Sequence, residues 1–180
     1  MGFRSGDGPR AGGARAGVLT AAVASTPLTI EQVLNLLPQT PQRLAELTAG
    51  LAPAQLHVAP SPDEWSANDV LAHLRACSDV WGGCIAAILA EDRPTFPGVD
   101  PRSWITKTDY LDLEFRPSFL SFATQRASLL AVLEPLPPEG WSRAATVTAW
   151  GQLYEHTVLY YAQRIARHER PHLRADRTHR

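Results

Sequence analysis

The chain has 180 residues, 44% of them hydrophobic and 19% charged, which is enough apolar material for one buried core and too much for wholesale disorder. No run approaches the roughly 20 apolar residues that a membrane-spanning helix needs, so a soluble protein without a membrane partner is expected. The net charge of −1 conceals an asymmetry: positions 26–163 carry eight basic and fifteen acidic side chains, whereas Arg164 to Arg180 holds six arginines against Glu169 and Asp176. With no interleaved aromatics and no groove-binding motif, that basic end reads as a solvated helix terminus, and no nucleic-acid partner is expected.

Positions 1–25 are rich in Gly, Ala and Arg. Their one apolar stretch, Val18 to Ala24, is short and broken by Thr20, which argues against a secretory leader. We expect a disordered extension over 1–25, a helical domain over 26–170 and a basic tail over 171–180.

The first helix should start at Thr29, which caps with Gln32 three positions on. It carries Ile30, Val33, Leu34, Leu37, Leu44 and Leu47 at helical spacing, and Pro38 and Pro41 should kink or split it. Ser66 and Asp69 form the next start signal. From there Val70, Leu71, Leu74, Cys77, Val80, Trp81, Ile85 and Ile88 predict a long second helix to about Glu91. The segment from Asp92 to Arg116, rich in Pro, Gly and polar residues, reads as a long crossover loop. Pro117 suits the first turn of a third helix through Phe119, Phe122, Leu129 and Leu133, ended by Pro135, Pro137, Pro138 and Gly140. A fourth is predicted from Val147 to Glu169, with Trp150, Leu153, Thr157, Tyr160, Tyr161 and Ile165 near one stripe. No alternating strand pattern stands out. The expected class is all-α, an up-and-down four-helix bundle.

Chemistry-bearing residues are few. His73 falls in the middle of helix two and His156 in the middle of predicted helix four, and facing helices of a bundle can converge imidazoles on a metal ion. Cys77 follows His73 by one turn on the same face, so His73, Cys77 and His156 could make an N₂S set suited to zinc. The competing reading of Cys77 is a small buried core residue. Cys77 and Cys84 are two turns apart, about 10 Å along a helix and too far for a disulfide, which suits a reducing cytoplasm. His168, His172 and His179 are expected to face water in the basic tail, and His57 to cap or lie at the surface near Pro60 and Pro62. Lys107 is the only lysine. There is no Gly-rich phosphate loop and no Gly-x-Ser-x-Gly elbow, which removes nucleotide hydrolysis and elbow esterases.

The run Trp65-Ser66-Ala67-Asn68-Asp69-Val70-Leu71-Ala72-His73-Leu74 resembles the helix-two signature of the DinB-like (YfiT-like) superfamily. Pro137-Pro138-Glu139-Gly140-Trp141, then Leu153-Tyr154-Glu155-His156 and Tyr161-Ala162-Gln163-Arg164-Ile165, resembles that family's last helix, and Trp104, Lys107 and Tyr110 suit its crossover. The resemblance covers about Leu28 to His168. It implies a four-helix bundle with a long crossover between helices two and three, often a homodimer. It also implies a metal triad of one helix-two histidine and a His-x-x-x-His pair from helix four, holding a divalent ion such as zinc or nickel. On that pattern His73 is the first ligand and His156 the second, but Tyr160 stands third, and a phenol with a pKa near 10 is a poor replacement for imidazole. The departure favours a degenerate, weakly binding or metal-free scaffold or binding module. The alternative is a metal-dependent transferase or isomerase using a low-molecular-weight thiol, or a hydrolase, acting on a small electrophile, with Tyr160 or Cys77 completing the site.

Overall fold

The computed structural model describes residues 26–173; the expectations for 1–25, for His179 and for most of the basic tail lie outside them. Thr29 caps α1 (Ile30–Leu36) in a reciprocal capping box with Gln32, and the two prolines split the first helix into α1 and α2 (Gln39–Thr48). The split leaves a carbonyl without a helical partner, because Pro41 has no N–H to offer Leu37. Arg126 fills the gap, donating from Nη1 to the Leu37 carbonyl at 2.9 Å. A short α3 (Pro53–Leu56) leads to α4 (Ala67–Ala90), whose Ser66 cap and Asp69 form the second capping box.

The crossover is not all loop. It contains β1 (Thr95–Pro97) and α5 (Pro101–Ile105), and it is tied to α4 through Asp79. That carboxylate accepts from Tyr110 Oη at 2.7 Å, Trp104 Nε1 at 3.2 Å and Gln125 Nε2 at 2.6 Å. Asn68 Nδ2 adds a bond to the Leu111 carbonyl at 2.9 Å. The chain continues through α6 (Phe115–Leu133) and a short α7 (Pro138–Ser142).

The all-α expectation then needs correcting. Ala144–Ala149 is a strand, β2, and Gln152–Thr157 is its antiparallel partner β3, with Ala149 opposite Gln152. The two residues between them, Trp150 and Gly151, have φ of 49° and 74°, the left-handed pair of a two-residue hairpin turn. Parallel pairing of β1 with β2 completes a three-stranded sheet in the order β1-β2-β3. The β-branched run Thr146-Val147-Thr148 and a Gly at the second turn position were the strand signals; the aromatic and aliphatic residues of β3 mimic a helical stripe. Gly98 lets β1 lie close to β2, since a Cβ there would meet Ala149 Cβ at 3.2 Å. The last helix, α8 (Val158–Glu169), therefore starts eleven residues later than expected, capped by Thr157, and runs into a 3-10 turn at Arg170–Leu173.

In the bundle α4 packs against both α6 and α8, α1 against α8, and α2 against α6. One core joins Val33, Leu37, Trp81, Ile85, Leu133, Val158 and Ile165; a second, towards the start of α4, joins Leu44, Leu56, Leu71, Leu74, Phe115 and Phe122.

Candidate metal centre

His73 projects from α4 with Cys77 and Trp81 following at four-residue intervals, one stripe of the helix. The facing stripe on α8 and its 3-10 extension has the same spacing: Tyr160, Arg164, His168 and His172. Antiparallel packing sets His73 opposite His168, with Nε2 to Nε2 2.8 Å apart, and Cys77 Sγ lies 3.6 Å from His73 Nε2. The donor atoms of His73, Cys77 and His168 all fall within 4.8 Å of one another. The His172 ring is centred 5.0 Å from both the His73 and the His168 rings. Two indoles wedge the cluster: Trp65 lies edge-on to His73 and stacked on His172, and Trp81 stands edge-on to His168.

Burial, reinforced by His172 and nearby arginines, pushes His73 and His168 down to about 4, so both are neutral at pH 7 with lone pairs to share. Burial also raises the Cys77 thiol to about 12, which keeps it protonated unless a cation binds. Two neutral imidazoles and an adjacent thiol, with a third imidazole beside them, are a donor set that fits zinc or a similar borderline divalent ion.

The cluster is held from behind. Glu169, next to His168, is fully buried, as is Arg126. Arg126 Nη1 donates to Glu169 Oε2 at 2.8 Å and Nη2 to Oε1, while Thr40 Oγ1 donates to Oε2 at 2.7 Å. This network clamps the C-terminal end of α8 against α6 and the α1–α2 break.

The placement of the sequence candidates divides. His73 and Cys77 come together one turn apart, as their spacing requires. His156 is not with them: it sits on β3, stacked on Tyr160 with ring centres 3.8 Å apart, and its Nδ1 faces Tyr161 Oη at 3.4 Å. Tyr160 is in the first turn of α8, its hydroxyl accepting from Arg164 at 3.2 Å. The expectation that His168 and His172 face water is corrected as well: α8 packed antiparallel on α4 sets His168 against His73, and the 3-10 turn carries His172 beside both. The missed signal was His168-x-x-x-His172, a second pair at the spacing sought at positions 156 and 160. Both cysteines are free thiols.

A helical bundle with a crossover and an imidazole cluster between α4 and the last helix defines the class, and the comparisons agree with it. The sequence matches the DinB superfamily over residues 36–175, and the chain belongs to that family. Among solved structures it is similar to YfiT from Bacillus subtilis, described as a probable metal-dependent hydrolase with an unusual four-helix bundle topology. The TM-score is 0.64 and the identity 17%, over 82% of this chain and 85% of YfiT. No curated protein sequence matches significantly. Among the described residues no helix is long and apolar enough to cross a membrane.

Proposed function

We propose that this chain is a metal-dependent enzyme that activates a water or a low-molecular-weight thiol against a small electrophile. His73, His168 and His172 are the proposed ligands, and Cys77 flanks them. The observation that carries this reading is the convergence of His73 and His168 Nε2, 2.8 Å apart, with Cys77 Sγ and the His172 ring beside them. A divalent ion bound there supplies Lewis acidity to a water, thiol or substrate oxygen. The protein's own part is to hold neutral imidazoles in place, through the Arg126–Glu169 clamp, and to keep bulk water off one side with Trp65 and Trp81. The degenerate-site reading rests on Tyr160 as third ligand; in this proposal His172 takes that role. YfiT's description supports hydrolysis as one of the two reactions. A cytoplasmic homodimer stays part of the proposal, on the strength of the free thiols and the family resemblance.

The test is metal content and stability. Protein prepared without chelators should carry near-stoichiometric zinc or nickel. His73→Ala, His168→Ala and His172→Ala should each lose it, and His156→Ala should keep it. Zinc at about 100 times its Kd should stabilise chelated protein by about 2.7 kcal/mol. Chelated protein whose Tm ignores zinc and nickel would leave the scaffold reading in its place.

A further inference from the structure

Beyond the histidine cluster, the same two stripes continue into a cavity of about 630 Å³ between α4, α8, the crossover and the hairpin. Trp81 belongs to both sites: one edge meets His168, and the Arg164 guanidinium lies 4.8 Å over its ring centre. Five aromatic residues contribute to its walls, Trp81, Tyr154, Tyr160, Tyr161 and the exposed Trp150. Trp150 is 92% exposed on the tip of the hairpin turn, a placement that leaves a large apolar surface uncovered beside the opening.

Arg164 is the one lysine or arginine on the lining. His156 shares the wall but is kept neutral by burial and by Arg164 itself. Arg164 forms no ion pair among the described residues, whose three ion pairs are all made by other arginines. Its guanidinium is instead pinned by the Trp81 face and the Tyr160 hydroxyl, which fixes its direction while leaving donors over. The only acid on the lining, Asp100, has its Oδ1 accepting from the backbone N–H of Arg102. One cation against one partly engaged carboxylate suits a monoanion better than a phosphate dianion, and a planar fork matches a carboxylate.

We propose that this cavity binds a small molecule with a flat, aromatic body and a single carboxylate, the ring lying among Trp81, Tyr160 and Trp150 and the carboxylate on Arg164. This names a substrate class for the metal centre proposed above and rests on that reading for its catalytic meaning, although binding itself does not need the ion.

The probes are 2-naphthoate, its neutral analogue 2-naphthylmethanol and 2-naphthyl phosphate, titrated calorimetrically into the full chain, first chelated and then zinc-loaded. Chelated protein should bind 2-naphthoate at least tenfold more tightly than the alcohol or the phosphate. Arg164→Met should remove that preference while leaving the alcohol's affinity unchanged, and Arg164→Lys should restore part of it. Acid and alcohol binding alike, tighter binding of the phosphate, no heat from 2-naphthoate, or an unchanged preference in Arg164→Met would overturn the proposal. If Arg164→Met fails to fold, the three probes on the unmodified chain decide it. Naphthoate binding without zinc binding would sink the metal centre and spare the cavity, and the reverse result would do the opposite.

Discussion

Arg126→Met tests the clamp behind the histidines. The substitution keeps most of the aliphatic stem but removes both bonds to Glu169 and the bond that satisfies the Leu37 carbonyl. Glu169, 1% exposed, would keep only the Thr40 hydroxyl. Stranding one charge of a buried pair costs about 3–5 kcal/mol. At the roughly 2–4 °C per kcal/mol of a domain this size, the Tm should fall by about 6–20 °C. Because Glu169 directly follows His168, zinc affinity should fall with it. The double variant Arg126→Met/Glu169→Leu replaces both charges with apolar groups and should recover most of the loss. Scanning calorimetry on the wild type and the variants reads all of this. A single variant within about 1 kcal/mol of wild type, or a double variant no better than the single, would refute an uncompensated buried carboxylate as the cause.

Asp79→Ala should loosen the crossover, costing about 2–3 kcal/mol and raising amide exchange around Trp104 and Tyr110, which lose their shared acceptor. Unchanged exchange there would mean the crossover is held by packing alone. Gly151→Ala forces a Cβ into the left-handed region at φ 74° and should cost about 1–2 kcal/mol in the same melt, a loss that would vanish if the hairpin turn were free to relax. Chelated protein should lose stability as pH falls from about 6.5 to about 4. In that window unfolded histidines take up protons that folded His73 and His168 refuse, so the unfolded state binds more protons and acid favours it. The dependence should shrink in His73→Ala; a flat profile in the parent chain would contradict the burial of both rings.

Much of the bundle was legible because its signals are local. The capping boxes at Thr29 and Ser66, the proline break and the long apolar stripe of α4 each depend on residues within one or two turns. The hairpin was harder, since Leu153, Tyr154 and Tyr160 satisfy a period of 3.6 nearly as well as a period of two, and pairing with β1 is a contact across about fifty positions of sequence. Reading β3 as helix moves the helix start and puts His156 inside the last helix, where the family's His-x-x-x-His pattern then falls on His156 and Tyr160. His73 is placed by a helix with its own cap, whereas His168 and His172 are placed by packing of α8 and its 3-10 extension against α4, a contact across about a hundred positions of sequence.

Carrying Arg164 and His168 on one rigid rod has a dimensional consequence. Four residues of α-helix advance by about 6 Å, so helical pitch sets the spacing of the two backbone attachment points, and the contacts of Arg164 with Trp81 and Tyr160 set where its guanidinium lies. If the cavity and the metal centre act on one molecule as proposed, the rod would serve as a ruler, favouring molecules whose acidic end and reacting atom are separated by a matching span.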